Sequence, residues 1–354
     1  MLYGGRSGEH EISLISAQAC LGQIDAERYE IIVVGMDRDG KCYLNDYQEM
    51  LTFRNALPVK TKNSTLLPSM LIDGKFFTDA DVVLPMVHGP LYEDGCLQGM
   101  LDLADVAFVG SHTLASAISM DKDISRRLVC DTNIKSAPYL LCPRGISNLD
   151  IFCDEITATL KWPLFVKPCS MGSSVGISRV NNKKELQRAI LDARHFDTEV
   201  IIEESIVGRE IELAVLEDIN NPLSPKVSLP GEIVVNHSDG FYSYAAKYVD
   251  SDATALVVPA QLNSNLTEKL QQIARDIFVR LKCRGMARID FFVDDENELI
   301  YFNEANTLPG FTPISMYPRL WQYMGVPYPM LLDELVEIAI MHHKNRRMLV
   351  REYQ

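Results

Sequence analysis

Two carboxylates and an amide stand at matched places on two apolar runs. Arg288-Ile289-Asp290 leads into Phe291 and Phe292, and Glu304-Ala305-Asn306 follows a run that carries Ile300 and Phe302. If both runs are strands, their period of two sends Arg288 and Asp290 to one face, and Glu304 and Asn306 to one face. Hard oxygen donors gathered in this way suit Mg²⁺, which takes one or two carboxylates and completes its shell with water and substrate phosphate oxygens. The alternative is a strand face with unrelated charges. Unpaired charge among large apolar residues is costly, and this favours a metal site at Asp290, Glu304 and Asn306.

Phosphate chemistry has its own candidates. Lys167-Pro168 ends an apolar run, and Met171-Gly172-Ser173-Ser174-Val175-Gly176 follows. A lysine supplies a point charge for phosphate, and a turn of small residues exposes backbone N–H groups that cradle one. This is not a Walker A loop, because GxxxxGK[ST] does not occur, and alone such a turn is as readily a plain hairpin. Ile201-Ile202-Glu203-Glu204-Ser205-Ile206 offers the apolar slot and hydrogen-bonding edge that an adenine needs, with Glu210 open to a ribose. A strand ending in a solvated acidic turn accounts for that segment equally well. Gly4-Gly5-Arg6-Ser7-Gly8-Glu9-His10-Glu11 is a glycine turn before a helix, without the GxGxxG of dinucleotide-binding folds. Glu9 there is either a residue favoured by the helix dipole or a ligand for an ammonium group. His88-Gly89, with Glu93-Asp94-Gly95, falls at the C-terminal end of a buried strand, where open α/β sheets place ligands.

These positions lie far apart in the chain, so a scaffold has to gather them. In the first third, apolar runs at 31–35, 82–87 and 106–110 alternate with helical stretches at 11–20 and 97–103, as in an open α/β lobe. A helical pattern at 114–132 opens a smaller α+β segment with strands at 164–168, 175–180 and 200–204 and a helix at 183–195. The last segment holds strands at 210–216, 231–235, 287–293 and 298–303. It also holds a helix with Leu266, Leu270, Ile273, Ile277 and Leu281 on one face, and a terminal helix from about residue 330. A single core seldom serves 354 residues, so three lobes are expected, at 1–110, 111–203 and 204–354. The polar stretch 236–259 is too long for a simple turn and reads as a candidate mobile loop.

Composition narrows the function classes. Lys and Arg number 34 against 48 Asp and Glu, a formal charge of -14, which argues against a nucleic-acid surface. No apolar stretch approaches the roughly 20 residues of a bilayer span. The glycine turn arrives too early for a secretory signal, so a cytoplasmic protein is expected. Eight cysteines without a CxxC pair suggest neither a zinc site nor a disulfide framework and read as small core residues.

Taken in order, the glycine turn at 4–11, His88-Gly89, Glu93-Asp94-Gly95, Ser119-Met120-Asp121-Lys122, Lys167-Pro168, Gly172-Ser173-Ser174-Val175-Gly176, Arg288-Ile289-Asp290 and Asn303-Glu304-Ala305-Asn306-Thr307-Leu308-Pro309-Gly310-Phe311-Thr312 resemble the D-alanine–D-alanine ligases of the ATP-grasp superfamily. The resemblance implies a three-lobed ATP-grasp fold, mixed α/β and α+β, with an open α/β N-terminal lobe. It implies ATP-dependent joining of two D-alanines through a D-alanyl phosphate, for peptidoglycan precursors, by a homodimer. On this pattern Lys122 and Lys167 hold the ATP phosphates, Glu203 and Ile206 the adenine, and Glu210 the ribose. Ser174, Glu204, Phe241, Lys247 and Phe292 complete the nucleotide site. Asp290, Glu304 and Asn306 carry two Mg²⁺ or Mn²⁺ ions, and Arg288 with the Gly310 N–H forms an oxyanion hole. Glu9 takes the first substrate's ammonium, Ser173 and Tyr248 link it to a closing loop, and His88, Ser315 and Met316 line the substrate side. The apolar Met316, with Tyr248, resembles the dipeptide-forming type rather than the D-alanyl-D-lactate or D-alanyl-D-serine ligases, which stay as alternatives beside other carboxylate–amine ligases. A nucleotide-binding regulator without turnover fits the intact Arg288, Asp290, Glu304 and Asn306 set poorly. Two departures from the pattern stand out: the chain opens at Met1-Leu2-Tyr3, where several more residues of the first strand are usual, so that either the start is misassigned or that strand is short, and Tyr92 occupies a place where a glycine is usual.

Overall fold

In the computed structural model, residues 1–67, 71–72, 75–76, 80–131, 134–235 and 254–350 are described. The first sheet has five strands in the order Thr65–Leu66, Cys42–Asn45, Val33–Met36, Leu2–Gly4 and Pro85–Met86. Leu2–Gly4 has three residues and runs parallel to both of its neighbours. The apolar run at 82–87 is not one strand. Val82–Val83 pairs with Ala107–Phe108 and Pro85–Met86 with the first strand, a split that turns His88 and Gly89 toward the first strand's C-terminal edge.

The helical run at 114–132 divides into Thr113–Met120 and Lys122–Val129. Asp121 leaves helical geometry at the break and caps the second helix, its carboxylate accepting from Asp123 N and Ile124 N. Both helices lie against Leu299–Asn306, and Lys135–Ser136 pairs in parallel with that strand. This stretch therefore packs on the C-terminal sheet, because its apolar residues Ile118, Val129 and Ile134 join that sheet's core.

A four-stranded antiparallel sheet orders Tyr139–Cys142, Val200–Glu204, Leu164–Pro168 and Ser178–Val180. Helix Lys183–Ala193 seals one face with Leu186, Ala189, Ile190 and Ala193, and each large aliphatic side chain so buried contributes about 1.5–3 kcal/mol. The expected strand at 175–180 starts only at Ser178, because the residues before it form a tight turn.

The third and largest sheet runs Lys135–Ser136, Leu299–Asn306, Met286–Asp294, Arg209–Leu216, Gly231–Val235 and Thr254–Val257, with Lys226–Val227 on Arg209–Leu216. Helix Ser264–Arg280 covers one face with Leu266, Leu270, Ile273 and Ile277. Of the loop expected at 236–259, residues 236–253 lie outside the described residues, and Thr254–Val257 is a strand paired with Gly231–Val235.

The first and third lobes share one core: Tyr3, Met86 and Val109 cluster with Leu216, Trp321, Leu332 and Leu335. The central sheet keeps a core of its own. Six of the eight cysteines are buried and all eight are free thiols, but Cys96 is exposed and Cys130 half-buried, so those two are not core residues. Among the described residues no helix is long and apolar enough to cross a membrane.

Candidate active site

A cavity of about 350 Å³ lies between the central sheet and the large sheet. Lys122, Lys167, Ser173 and Ser174 line one side, Glu203, Glu204 and Ile206 one end, and Glu210, Asp290, Phe292 and Glu304 the other side. A second cavity of about 110 Å³ lies beside it and shares Gly172, Ser173, Glu212 and Glu304 with it. Glu9 and His88 from the first lobe enter this second cavity, opposite Arg288, Asn306, Gly310, Ser315 and Met316. Candidates scattered from residue 9 to residue 316 are thus brought together. Tyr248, Phe241 and Lys247 lie outside the described residues.

The strand register builds the acidic wall. Glu212 pairs with Asp290 and Asp290 with Glu304, so three carboxylates stand in a row across three neighbouring strands. Like charges directly opposed on a sheet repel, and this row persists because cations answer it. Arg288 Nε donates to Asp290 Oδ1 at 2.8 Å and Nη2 to Oδ2 at 2.7 Å, while Nε lies 3.2 Å from Glu212 Oε2. Burial alone would depress the guanidinium, but Asp290 and Glu212 hold it charged, well above its ordinary value. Asn306 Nδ2 donates to Asp290 Oδ2 at 3.0 Å, and Lys122 Nζ sits 3.3 Å from Glu304 Oε2. The strand irregularity falls between Asp290 and Phe291, next to the acidic row, where bulges commonly re-aim a side chain.

This wall fits a magnesium ion. Its donors are oxygens, its surplus charge is negative, and it opens on the larger cavity. Among the described residues no three His, Cys, Asp or Glu converge closely enough to hold an ion by themselves. A magnesium ion there would draw on Asn306, water and phosphate oxygens to complete its shell, which is how Mg²⁺ is usually held.

The opposite wall is basic. Lys122 is buried and donates to the Met171 carbonyl at 2.7 Å. Lys167 pairs with Glu203 Oε1, and Arg126 Nη1 lies 2.6 Å from Glu203 Oε2. Burial would raise the Glu203 carboxyl, but Arg126 and Lys167 hold it at about 2. One anion thus serves two buried cations, of which Lys167 lines the cavity. The turn between Pro168 and Ser178 carries Ser173 and Ser174 at φ of 51° and 58°. Two consecutive side-chain-bearing residues in left-handed geometry are strained, a cost of the kind found at ligand clamps. Glu204 Oε1 accepts from Lys161 N at 2.9 Å, which anchors the end of the cavity.

From the first lobe, Glu9 begins helix His10–Leu21 without using its side chain as a cap. Its Oε1 nearly touches the central lobe: a methyl added to Gly172 would lie 2.8 Å from it, and one on Gly89 3.0 Å. His88 is buried, with Nε2 3.1 Å from Ser16 Oγ and Nδ1 3.5 Å from Glu93 Oε1. Burial lowers the imidazole, yet Glu93 and Glu9 together carry it above its ordinary value. The Gly310 turn is closed by Ser315, whose Oγ accepts from Thr312 N at 3.0 Å and contacts Thr312 Oγ1 at 2.8 Å. Met316 is buried against Gly231 and gives the second cavity an apolar floor.

Two residues of the site, Glu212 and Arg126, were not singled out from sequence, and Glu93 was noted without a role. Glu212 follows Glu210 by two on Arg209–Leu216, so strand alternation already placed it on the same face. Glu93 belongs to a segment noted for its position, but its bonds to Gly89 N and His88 depend on the fold of the loop. Arg126 carries no sequence signal: it is 1% exposed, while the side chain of its neighbour Arg127 is 61% exposed.

Comparison with known proteins agrees with this geometry. Residues 1–111 match the family model described as "D-ala D-ala ligase N-terminus" and residues 128–337 the model "D-ala D-ala ligase C-terminus". A D-alanine–D-alanine ligase of Legionella pneumophila is 56% identical over 355 residues, covering 100% of this chain and 98% of that protein. The solved D-alanine–D-alanine ligase of Coxiella burnetii superposes with a TM-score of 0.83 at 34% identity, over 99% of this chain and 95% of that one. VanG D-Ala:D-Ser ligase of Enterococcus faecalis superposes with 0.82 at 35% identity, over 96% and 98%. Two family models in order, and relatives matched over essentially their whole length, place this chain in the D-alanine–D-alanine ligase family.

Proposed function

We propose that this protein uses ATP to join two D-alanines into D-alanyl-D-alanine, releasing ADP and phosphate. The observation that carries the proposal is a cavity of about 350 Å³ lined by the cations Lys122 and Lys167 and by the carboxylates Asp290 and Glu304, beside the smaller cavity that Glu9 enters. The triphosphate lies between these walls, with the adenine against Glu203, Glu204 and Ile206, the ribose on Glu210, and Phe292 and Ser174 completing the nucleotide site. Asp290, Glu304 and Asn306 hold Mg²⁺ or Mn²⁺, two ions on the family pattern; metal bound there neutralises and orients phosphate oxygens.

The first D-alanine enters the smaller cavity with its ammonium on Glu9 and His88 beside it. One of its carboxylate oxygens attacks the γ-phosphorus, the bond to the β-phosphate oxygen breaks, and ADP leaves with that electron pair. The protein's task in this step is alignment and charge neutralisation. The amine of the second D-alanine then attacks the carbonyl carbon of D-alanyl phosphate. Arg288 and the Gly310 N–H receive the oxyanion, and collapse expels phosphate. Ser315 takes the second carboxylate, and the buried Met316 presents a thioether to the second methyl. On the family pattern Ser173 and Tyr248 act with Glu9, and Phe241 and Lys247 with the nucleotide. We place the enzyme in the cytoplasm, as a homodimer of three-lobed chains, on the family pattern.

Incubation with ATP, Mg²⁺ and D-alanine is expected to give ADP, phosphate and dipeptide in equal amounts. ATP binding with no dipeptide would leave only a nucleotide-binding role. Faster product formation with D-lactate or D-serine as second substrate would reassign the Met316 subsite.

A further inference from the structure

The glycine turn that delivers Glu9 is clasped by a tyrosine. Tyr92 is 4% exposed, and its ring packs among Leu2, Val34, Met36, Cys42 and Val87 beneath the turn. Its hydroxyl accepts the Arg6 N–H at 2.9 Å and donates to Met36 Sδ at 3.1 Å. Gly5, at φ 104°, lies directly against the phenol: a Cβ there would be 2.5 Å from the hydroxyl oxygen. The phenol thus occupies the space that a side chain at position 5 would need, and it satisfies a backbone donor that the turn leaves without a ladder partner.

The same loop grips the turn at a second point. Ser7 Oγ donates to the His88 carbonyl at 2.5 Å and accepts from Glu9 N at 3.2 Å. Tyr92 is tied into that loop through its own backbone, its N–H donating to the Gly89 carbonyl at 3.1 Å and its carbonyl accepting from Gln98 Nε2 at 2.7 Å. Between the Arg6 and Ser7 attachments the turn has little freedom. Its next residues carry Glu9 between Gly89 and Gly172, so close that a Cβ on either glycine would lie 3.0 or 2.8 Å from its Oε1.

We infer that Tyr92 is a positioning residue for the first-substrate site: its hydroxyl fixes the Gly5–Arg6 turn and so sets the depth at which Glu9 meets the substrate ammonium. This rests on the assignment of Glu9 to that ammonium. An acceptor lost here leaves a part-buried N–H unpaired, and the turn relieves that by moving, which carries Glu9 with it. The consequence falls on one substrate alone, because Lys122, Lys167 and the second-substrate residues belong to other lobes.

The test is Tyr92→Phe, which keeps the ring and removes the bond. The rate dependence on D-alanine, resolved into its two half-saturation constants, is expected to show the first raised about five- to tenfold. The second constant, KM for ATP and kcat are expected to stay within about twofold, on the same ground. A first constant that does not move, or all constants moving together with a fall in Tm, overturns the inference and leaves Tyr92 a packing residue. Met36→Leu removes only the hydroxyl's other contact and is expected to leave the first constant in place; an equal rise there also overturns it. Glu9→Gln separates the two levels. If it leaves the first constant unchanged, the Glu9 assignment itself fails. If it raises that constant while Tyr92→Phe does not, only the role of Tyr92 is lost.

Discussion

Glu203 gives the sharpest quantitative test of the basic wall. Its carboxylate is 2% exposed and bridges Arg126 and Lys167, so Glu203→Gln leaves two buried cations facing each other with no anion. The magnitude follows from proton linkage. A carboxyl that falls from 4.5 to about 2 on folding gives up roughly 3 kcal/mol when its charge is removed, at 1.36 kcal/mol per pKa unit. That agrees with the roughly 3–5 kcal/mol lost when one partner of a buried ion pair is deleted. Urea unfolding at pH 7, followed by circular dichroism without nucleotide, reads this directly: at about 3 kcal/mol per molar the midpoint falls by roughly 1 M. The folded value lies below the unfolded one, so the stabilisation is complete above pH 4.5 and declines as pH falls toward about 2. The gap between wild type and variant is therefore flat from pH 6 to 8. Glu203→Gln/Lys167→Met removes one stranded cation and recovers at least half of the loss. A midpoint shift under about 0.3 M, which is less than 1 kcal/mol on the same slope, would refute the bridging role.

The remaining predictions address the acidic wall and the first-lobe loop. Glu304→Ala removes a carboxylate of the proposed metal site and the partner of Lys122, and both Mn²⁺ affinity by titration and turnover are expected to fall, turnover by about 10²-fold or more; full turnover would contradict the metal assignment. Arg288→Met is expected to lower kcat about 10²- to 10³-fold while Mn²⁺ binds at least as tightly, because the guanidinium no longer competes for Asp290. Parallel loss of both would mean that Arg288 only holds the fold. Glu93 helps to raise the His88 imidazole, so the pairing stabilises the fold below pH 6.5 and fades as pH rises through the elevated folded value. Glu93→Gln, which keeps an acceptor for Gly89 N, should therefore lower Tm more at pH 6 than at pH 9. An equal or larger loss at pH 9 would exclude that pairing.

What could be read from the chain without coordinates depended on whether a signal was local. Leu164–Pro168, Val200–Glu204 and Gly231–Val235 fell where apolar runs placed them, because the run itself makes the strand. Alternation put Asp290, Glu304 and Asn306 on strand faces. It could not supply the register that pairs Asp290 with both Glu212 and Glu304, because register is set by partners far along the chain. The break at Asp121 was legible in principle, since an aspartate that caps the next helix competes with the helix before it. Arg126 and Arg127 are the opposite case. Adjacent and chemically identical, they differ only in which side of a helix meets Glu203, and that follows from the packing of Lys122–Val129 on Leu299–Asn306.

The distribution of cores explains why catalysis is placed where it is. The first and third lobes are fused through one apolar cluster, whereas the central sheet has a separate one and meets the others largely through polar contacts at the site. Lys122 reaches Met171, Arg126 reaches Glu203, and Glu9 stops against Gly172. Apolar burial therefore fixes Glu9, Arg288 and Asp290 relative to one another, and charge fixes the central lobe relative to them. With ATP placed as proposed, its phosphates would compete with Glu203 for Lys167 and with Glu304 for Lys122, the second kind of contact and not the first. On that reading nucleotide binding acts on the junction held by charge, while Glu9 belongs to the lobe fused to the large sheet through the shared apolar core.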